Sequence, residues 1–105
     1  MKFFEIAQLR SYYGALLTEK QNEMLKMHYD EDLSLAEIAE IFGVSRQAVA
    51  DSLAKGERAL HEYDAKLGLL QKDNDIIEAL ATLETDGQSE EVLGVVAQIK
   101  RILED

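Results

Sequence analysis

The chain has 105 residues, which predicts one domain burying roughly two thirds of the surface that its unfolded form exposes. It holds no cysteine, so disulfides, thiolate zinc sites and cysteine nucleophiles are excluded, and it holds no proline, while Leu, Ala and Ile recur at spacings of three and four, the mark of an all-α protein. Its net charge of −10 has the wrong sign for a generic nucleic-acid binder.

The opening residues "MKFFEIAQLR" are interrupted by Glu5 and Gln8 and do not read as a secretory signal. No run of about 20 apolar residues is long enough to span a bilayer. A cytoplasmic protein without membrane insertion is the expectation. Residues 2–17 place Phe3, Ile6, Leu9, Tyr13 and Leu16 on one stripe, widened by Phe4 and Leu17, the pattern of a core-facing helix. Gly14 costs about 1 kcal/mol inside a helix, so a bend or end is expected there.

A second helix starts at Thr18, where "TEKQ" forms a capping box with Gln21, and Met24, Leu25, Met27, His28 and Tyr29 carry it on. "DEDLS", residues 30–34, is a charged break. Ser34 and Glu37 form the next capping box, with Leu35, Ile38, Ala39 and Phe42 on the buried side, and Gly43 suits a left-handed helix end.

Ser45 caps a fourth, long helix. Along it Val49, Leu53, Gly56, Leu60, Tyr63, Leu67 and Leu70 stand 4, 3, 4, 3, 4 and 3 residues apart, a heptad seam that needs a partner. That partner is the N-terminal helix, the C-terminal helices, or the same helix of a second copy in a homodimer. Beyond it, residues 76–84 predict a short helix, "TDGQS" a loop, and residues 90–104 an amphipathic helix. The predicted organisation is a helical core over 1–70 and a C-terminal helical appendage over 71–105. The appendage carries 9 acids against 3 Lys plus Arg, net −6, and residues 1–70 carry 12 against 8, net −4. Acidity more than about 8 Å from a basic face is largely screened at physiological salt.

The stretch "SLAEIAEIFGVSRQAVADSL" breaks an amphipathic helix at Gly43 and begins another at Ser45. Two short helices joined by a glycine-containing turn make a helix-turn-helix, here within residues 34–60. Arg46 and Gln47 in the first turn suit base edges, arginine to guanine and glutamine to adenine. The free amides at Ser45, with Lys55 and Arg58, suit phosphates, and Asp51 opposes them. The face is weak by count, three bases against Asp51 and Glu57.

Chemistry is sparse elsewhere. His28 and His61 stand in no metal-ligand or nucleophile spacing. "DNDIIEALATLE" mimics a calcium loop at Asp73, Asp75 and Glu84, but Ile77 and Glu78 occupy a ligand position and the required glycine. No catalytic residue, metal site or cofactor is predicted, and an enzyme is not expected.

Residues 16–60, with "LLTEKQ", "YDEDLSLAEIAE" and "GVSRQAV" in that order, resemble the fourth conserved region of bacterial sigma factors, a helix-turn-helix that reads promoter DNA. More narrowly, the whole chain is similar to the YlxM-like family of DNA-binding or regulatory proteins. The resemblance places Ser45, Arg46, Gln47, Lys55 and Arg58 on a recognition helix. It also implies, through the genes beside which family members lie, a link to the signal recognition particle export pathway, with its protein or RNA components as partners in place of DNA. The chain departs from basic promoter readers at Ala48, Ala50, Ala54, Ala59 and Asp51. It has no segment resembling the sigma region that melts DNA, so an autonomous sigma factor is not implied.

Overall fold

The computed structural model describes residues 2–85 and 87–104, and among these residues the secondary structure is entirely helical. Two compact units divide at Gly68: Met1–Gly68 and Leu69–Asp105.

The first unit opens with α1, Lys2–Tyr13, whose Ile6, Leu9 and Tyr13 are buried. As expected, the helix ends at Gly14, where a single 3-10 turn, Gly14–Leu16, takes over. The predicted stripe is wider than the real one. Leu16 is 54% exposed, because the helix stops before it can continue the buried face, and Phe4, off the line of Ile6, Leu9 and Tyr13, is 67% exposed. Thr18 caps α2, Glu19–Leu25, accepting from the Gln21 amide at 3.1 Å while the Gln21 side chain accepts from the Thr18 amide at 3.3 Å. The helical path goes on past Leu25, but as a wider π turn over Lys26–Asp30, closed by the Glu31 N–H on the Lys26 carbonyl at 3.1 Å.

Ser34 caps α3, Leu35–Phe42, by the same reciprocal box. Its hydroxyl accepts from the Glu37 amide at 3.1 Å, and Glu37 accepts from the Ser34 amide at 3.0 Å. Donation to the carboxylate, from the Ser34 amide first and from the Ser34 hydroxyl second, holds the Glu37 carboxyl below its ordinary value. Ile38 and Ala39 are buried, and Leu35 and Phe42 are half-buried.

The longest helix, α4, spans Arg46–Leu67. Its seam residues Val49, Leu53, Gly56 and Leu60 are buried, and α1, α2 and α3 all pack on α4. The heptad seam is therefore taken up within the Met1–Gly68 unit. At Gly56 the fit with α2 is close: an added Cβ would stand 2.9 Å from Leu25 Cδ1. The seam is also shorter than predicted. Tyr63 is half-buried, Leu67 is 55% exposed, and Leu70 does not lie on α4 at all, since Gly68 adopts φ +60° and ends the helix.

The second unit is a pair of packed helices, α5 (Leu69–Thr85) and α6 (Glu90–Glu104). The first starts seven residues before the predicted 76, since "QKDND" carries neither proline nor glycine and Gln71 Nε2 donates to Asp75 Oδ1 one turn on, at 2.8 Å. The second has the expected bounds. Of the predicted loop "TDGQS", Thr85 instead ends α5, Asp86 lies outside the described residues, and Gly87 has φ +66°. Leu80 and Val96 are buried between the helices, Lys100 pairs with Glu84 across them, and Leu83, Val92, Val95 and Ile99 line an apolar groove.

Candidate nucleic-acid interface

The corner between α3 and α4 is built by local physics. Gly43 takes φ +66°, ψ +37°, a left-handed conformation that penalises a Cβ. The Val44 N–H bonds the Ala39 carbonyl at 3.0 Å and the Gly43 N–H reaches the Glu40 carbonyl at 3.4 Å, the paired bonds of a Schellman end. Two residues after Gly43, Ser45 is extended and its hydroxyl accepts from the Ala48 amide at 3.0 Å, so α4 begins at Arg46. Burial of Val49 one turn later anchors that first turn against the unit.

Beyond the adjoining backbone, no atom of the described residues lies within 4 Å of a Cβ added at Gly43, so substitution there is a test of backbone strain alone. Gly43→Ala is expected to lose about 1–2 kcal/mol of stability and Gly43→Asn clearly less, read from urea unfolding midpoints.

Off the seam of α4, Gln47, Asp51, Ala54, Lys55 and Arg58 are all exposed, as is Arg46 on the flank of the seam in the first turn, with Ser45 exposed at the tip of the helix. Arg46, Lys55 and Arg58 have no ion-pair partner among the described residues, whereas Arg10 pairs with Asp30 and Lys2 with Glu57. The first turn also borders a shallow groove lined by Leu35, Ser45, Arg46, Gln47 and Ala50. Leu35, expected on the buried side of α3, thus joins this surface, and so does Ala50; a half-buried apolar residue at the start of a helix gives no sequence signal for such a role.

The two acids that weaken the face by count are both engaged. Gln47 Nε2 donates to Asp51 Oδ1 at 2.9 Å. Glu57 turns the other way, with its side chain only 17% exposed, accepting from the Tyr29 hydroxyl and lying 3.2 Å from Lys2 Nζ. Sequence reasoning missed this cluster, which Phe3 extends by an edge contact with Tyr29 at 5.0 Å between ring centroids. Tyr29 and Glu57 lie 28 residues apart, beyond any local pattern.

Burial first, then the Glu57 bond and charge, push the Tyr29 phenol well above its ordinary value of 10.0. A raised pKa keeps the proton on the folded form, so this stabilisation is intact below about pH 10 and is lost as pH rises beyond it. An ultraviolet titration is expected to show Tyr29 ionising only as the protein unfolds in alkali, and Tyr29→Phe is expected to remove that late step.

Neither histidine stands in a reactive setting. His28 Nδ1–H donates to the Leu33 carbonyl at 2.9 Å, and His61 lies 3.5 Å from Glu5. Among the described residues no three His, Asp or Glu side chains gather as a metal site, and no helix is long and apolar enough to cross a membrane.

A family model described as "Putative helix-turn-helix protein, YlxM / p13 like" matches residues 1–99. A UPF0122 protein of Desulforamulus reducens is 40% identical over 98% of this chain and 94% of its own length. One of Fusobacterium nucleatum is 39% identical over 93% of this chain and 95% of its own length. One of Clostridium perfringens reaches 55% identity over 66% of this chain and 62% of its own length. The chain belongs to the YlxM/p13-like helix-turn-helix family.

Proposed function

We propose that this protein is a cytoplasmic, non-enzymatic regulator that binds double-stranded DNA with the first turns of α4 in the major groove. The observation that carries this reading is the exposed face of α4, where Arg46, Lys55 and Arg58 stand without ion-pair partners among the described residues, beside Gln47 and the helix end that Ser45 opens. A major groove about 12 Å wide admits one α-helix. Arg46 and Gln47 occupy the N-terminal turn that reaches base edges in helix-turn-helix complexes, and Lys55 and Arg58, two and three turns further, face the flanking phosphates.

The same reading has the protein acting as a homodimer on two half-sites. With Val49, Leu53 and Leu60 buried inside the Met1–Gly68 unit, such a dimer has to form away from that seam.

The test is a binding assay over a salt series with random and selected duplexes. If two copies each neutralise about three phosphates, the logarithm of affinity falls against that of salt with a slope near −5. No binding even at low salt removes the proposal.

The net charge of −6 on residues 71–105 favours a second reading, an interaction module of the signal recognition particle pathway without sequence-specific DNA binding. Nuclease-controlled co-purification separates the two. Retention of particle components that survives DNase supports the second reading, and its further loss on RNase treatment identifies RNA as the partner.

A further inference from the structure

We propose that Asp51 is a positioning residue that holds the Gln47 carboxamide in the one orientation able to read adenine, so that the site recognised contains an A·T pair opposite Gln47; this rests on the DNA-binding reading above.

Gln47 is the second residue of α4 and is exposed, so an unsupported side chain there would sample several rotamers and present its amide oxygen and nitrogen in either order. The bond from Gln47 Nε2 to Asp51 Oδ1, 2.9 Å long, biases that freedom toward one orientation. A carboxylate only accepts, so the amide nitrogen must face Asp51 and the amide oxygen must face away. One N–H is spent on the bond. The second N–H and the oxygen remain, a donor beside an acceptor. Adenine offers the complement in the major groove, the N7 acceptor beside the N6 amino donor, whereas guanine offers two acceptors and would set its O6 against the Gln47 oxygen. Ala50 and Leu35, which line the groove beside Gln47, are apolar neighbours suited to the C5 methyl of the paired thymine.

The position also explains why an acid stands on a face meant for a polyanion. Asp51 lowers affinity for every duplex alike, and in return it denies Gln47 the alternative orientation in which its amino group would serve guanine.

The experiment uses the full chain and duplexes selected from a random library by the wild-type protein, with each base pair then replaced in turn. The wild type is expected to prefer A·T at one position by about tenfold or more. Asp51→Ala is expected to bind all duplexes at least as tightly, since a negative charge is gone, while that preference falls below about threefold. Asp51→Asn, which can accept from Gln47 or, with its own amide reversed, donate to it, is expected to gain affinity and to fall between the wild type and Asp51→Ala in preference. Gln47→Ala loses the preference, and adding Asp51→Ala to it changes the preference no further. Both residues are exposed, so melting temperatures of the variants should stay within a few degrees of the wild type; a purely structural role would move those and leave the preference alone.

A preference retained by Asp51→Ala overturns the inference. So does a lost preference for a C·G pair that Gln47→Ala leaves intact, which would make Asp51 itself the reader. Wild-type binding without any A·T preference sinks the inference and spares DNA binding, whereas no binding by the wild type or any variant at low salt removes both.

Discussion

Replacing Leu60 by aspartate is expected to unfold the Met1–Gly68 unit at 25 °C, seen as loss of the cooperative melting transition of its helical circular-dichroism signal. Leu60 is fully buried on the face of α4 against which α1 and α2 pack, and the unit holds no buried polar or charged residue among those described that could partner a carboxylate. A charge left unpaired in such a place costs several kcal/mol, as much as a small domain has to lose. The milder Leu60→Ala removes only apolar contacts and should cost about 3 kcal/mol, lowering the melting temperature by roughly 10 °C or more. Should Leu60→Asp instead melt like the wild type and merely sediment as a smaller species, the seam would face another molecule and not the interior.

The second large effect belongs to Arg46. If it reads a base edge, Arg46→Ala is expected to weaken binding to a selected duplex by roughly 5- to 100-fold and to flatten the base preference at one position. Lys55→Ala should behave differently, weakening all duplexes alike and reducing the salt slope by about one unit per copy engaged. Both residues are exposed, so neither variant should shift stability by more than about 0.5 kcal/mol. Equal, sequence-independent losses at the two positions would reduce Arg46 to a phosphate contact.

The features that could be read from the sequence were those fixed within four residues. Thr18 with Gln21 and Ser34 with Glu37 close reciprocal caps because the partners sit three positions apart, and Gly43 ends α3 because glycine alone takes its backbone angles without strain. The seam of α4 was legible as far as Leu60 and misleading after it. A 4-3 spacing runs on through Leu67 to Leu70, and nothing in that arithmetic registers the left-handed turn at Gly68. Which helices cover the seam depended on contacts far apart in the chain, such as Leu25 against Gly56.

At the candidate site the exposed face of α4 followed from helical geometry. The pairing of Gln47 with Asp51 was within reach of the same reasoning, since residues four apart on a helix are neighbours. The diversion of Glu57 to Tyr29 and Lys2 was not, as it joins α4 to the N-terminus of α1 and to the π turn.

The unequal anchoring of α4 has a dynamic consequence. From Val49 to Leu60 the helix, about 33 Å long in all, is gripped by dry side-chain packing. Past Leu60 it is tied mainly by phenols: Tyr13 Oη donates to Asp64 at 2.7 Å, and Tyr63 Oη stands 3.5 Å from the Leu16 carbonyl. Fraying must therefore creep in from the Gly68 end, leaving the turn that carries Arg46 and Gln47 stiff. Backbone disorder there is surrendered once, when the polypeptide folds, and only side-chain freedom is left to forfeit on meeting a partner.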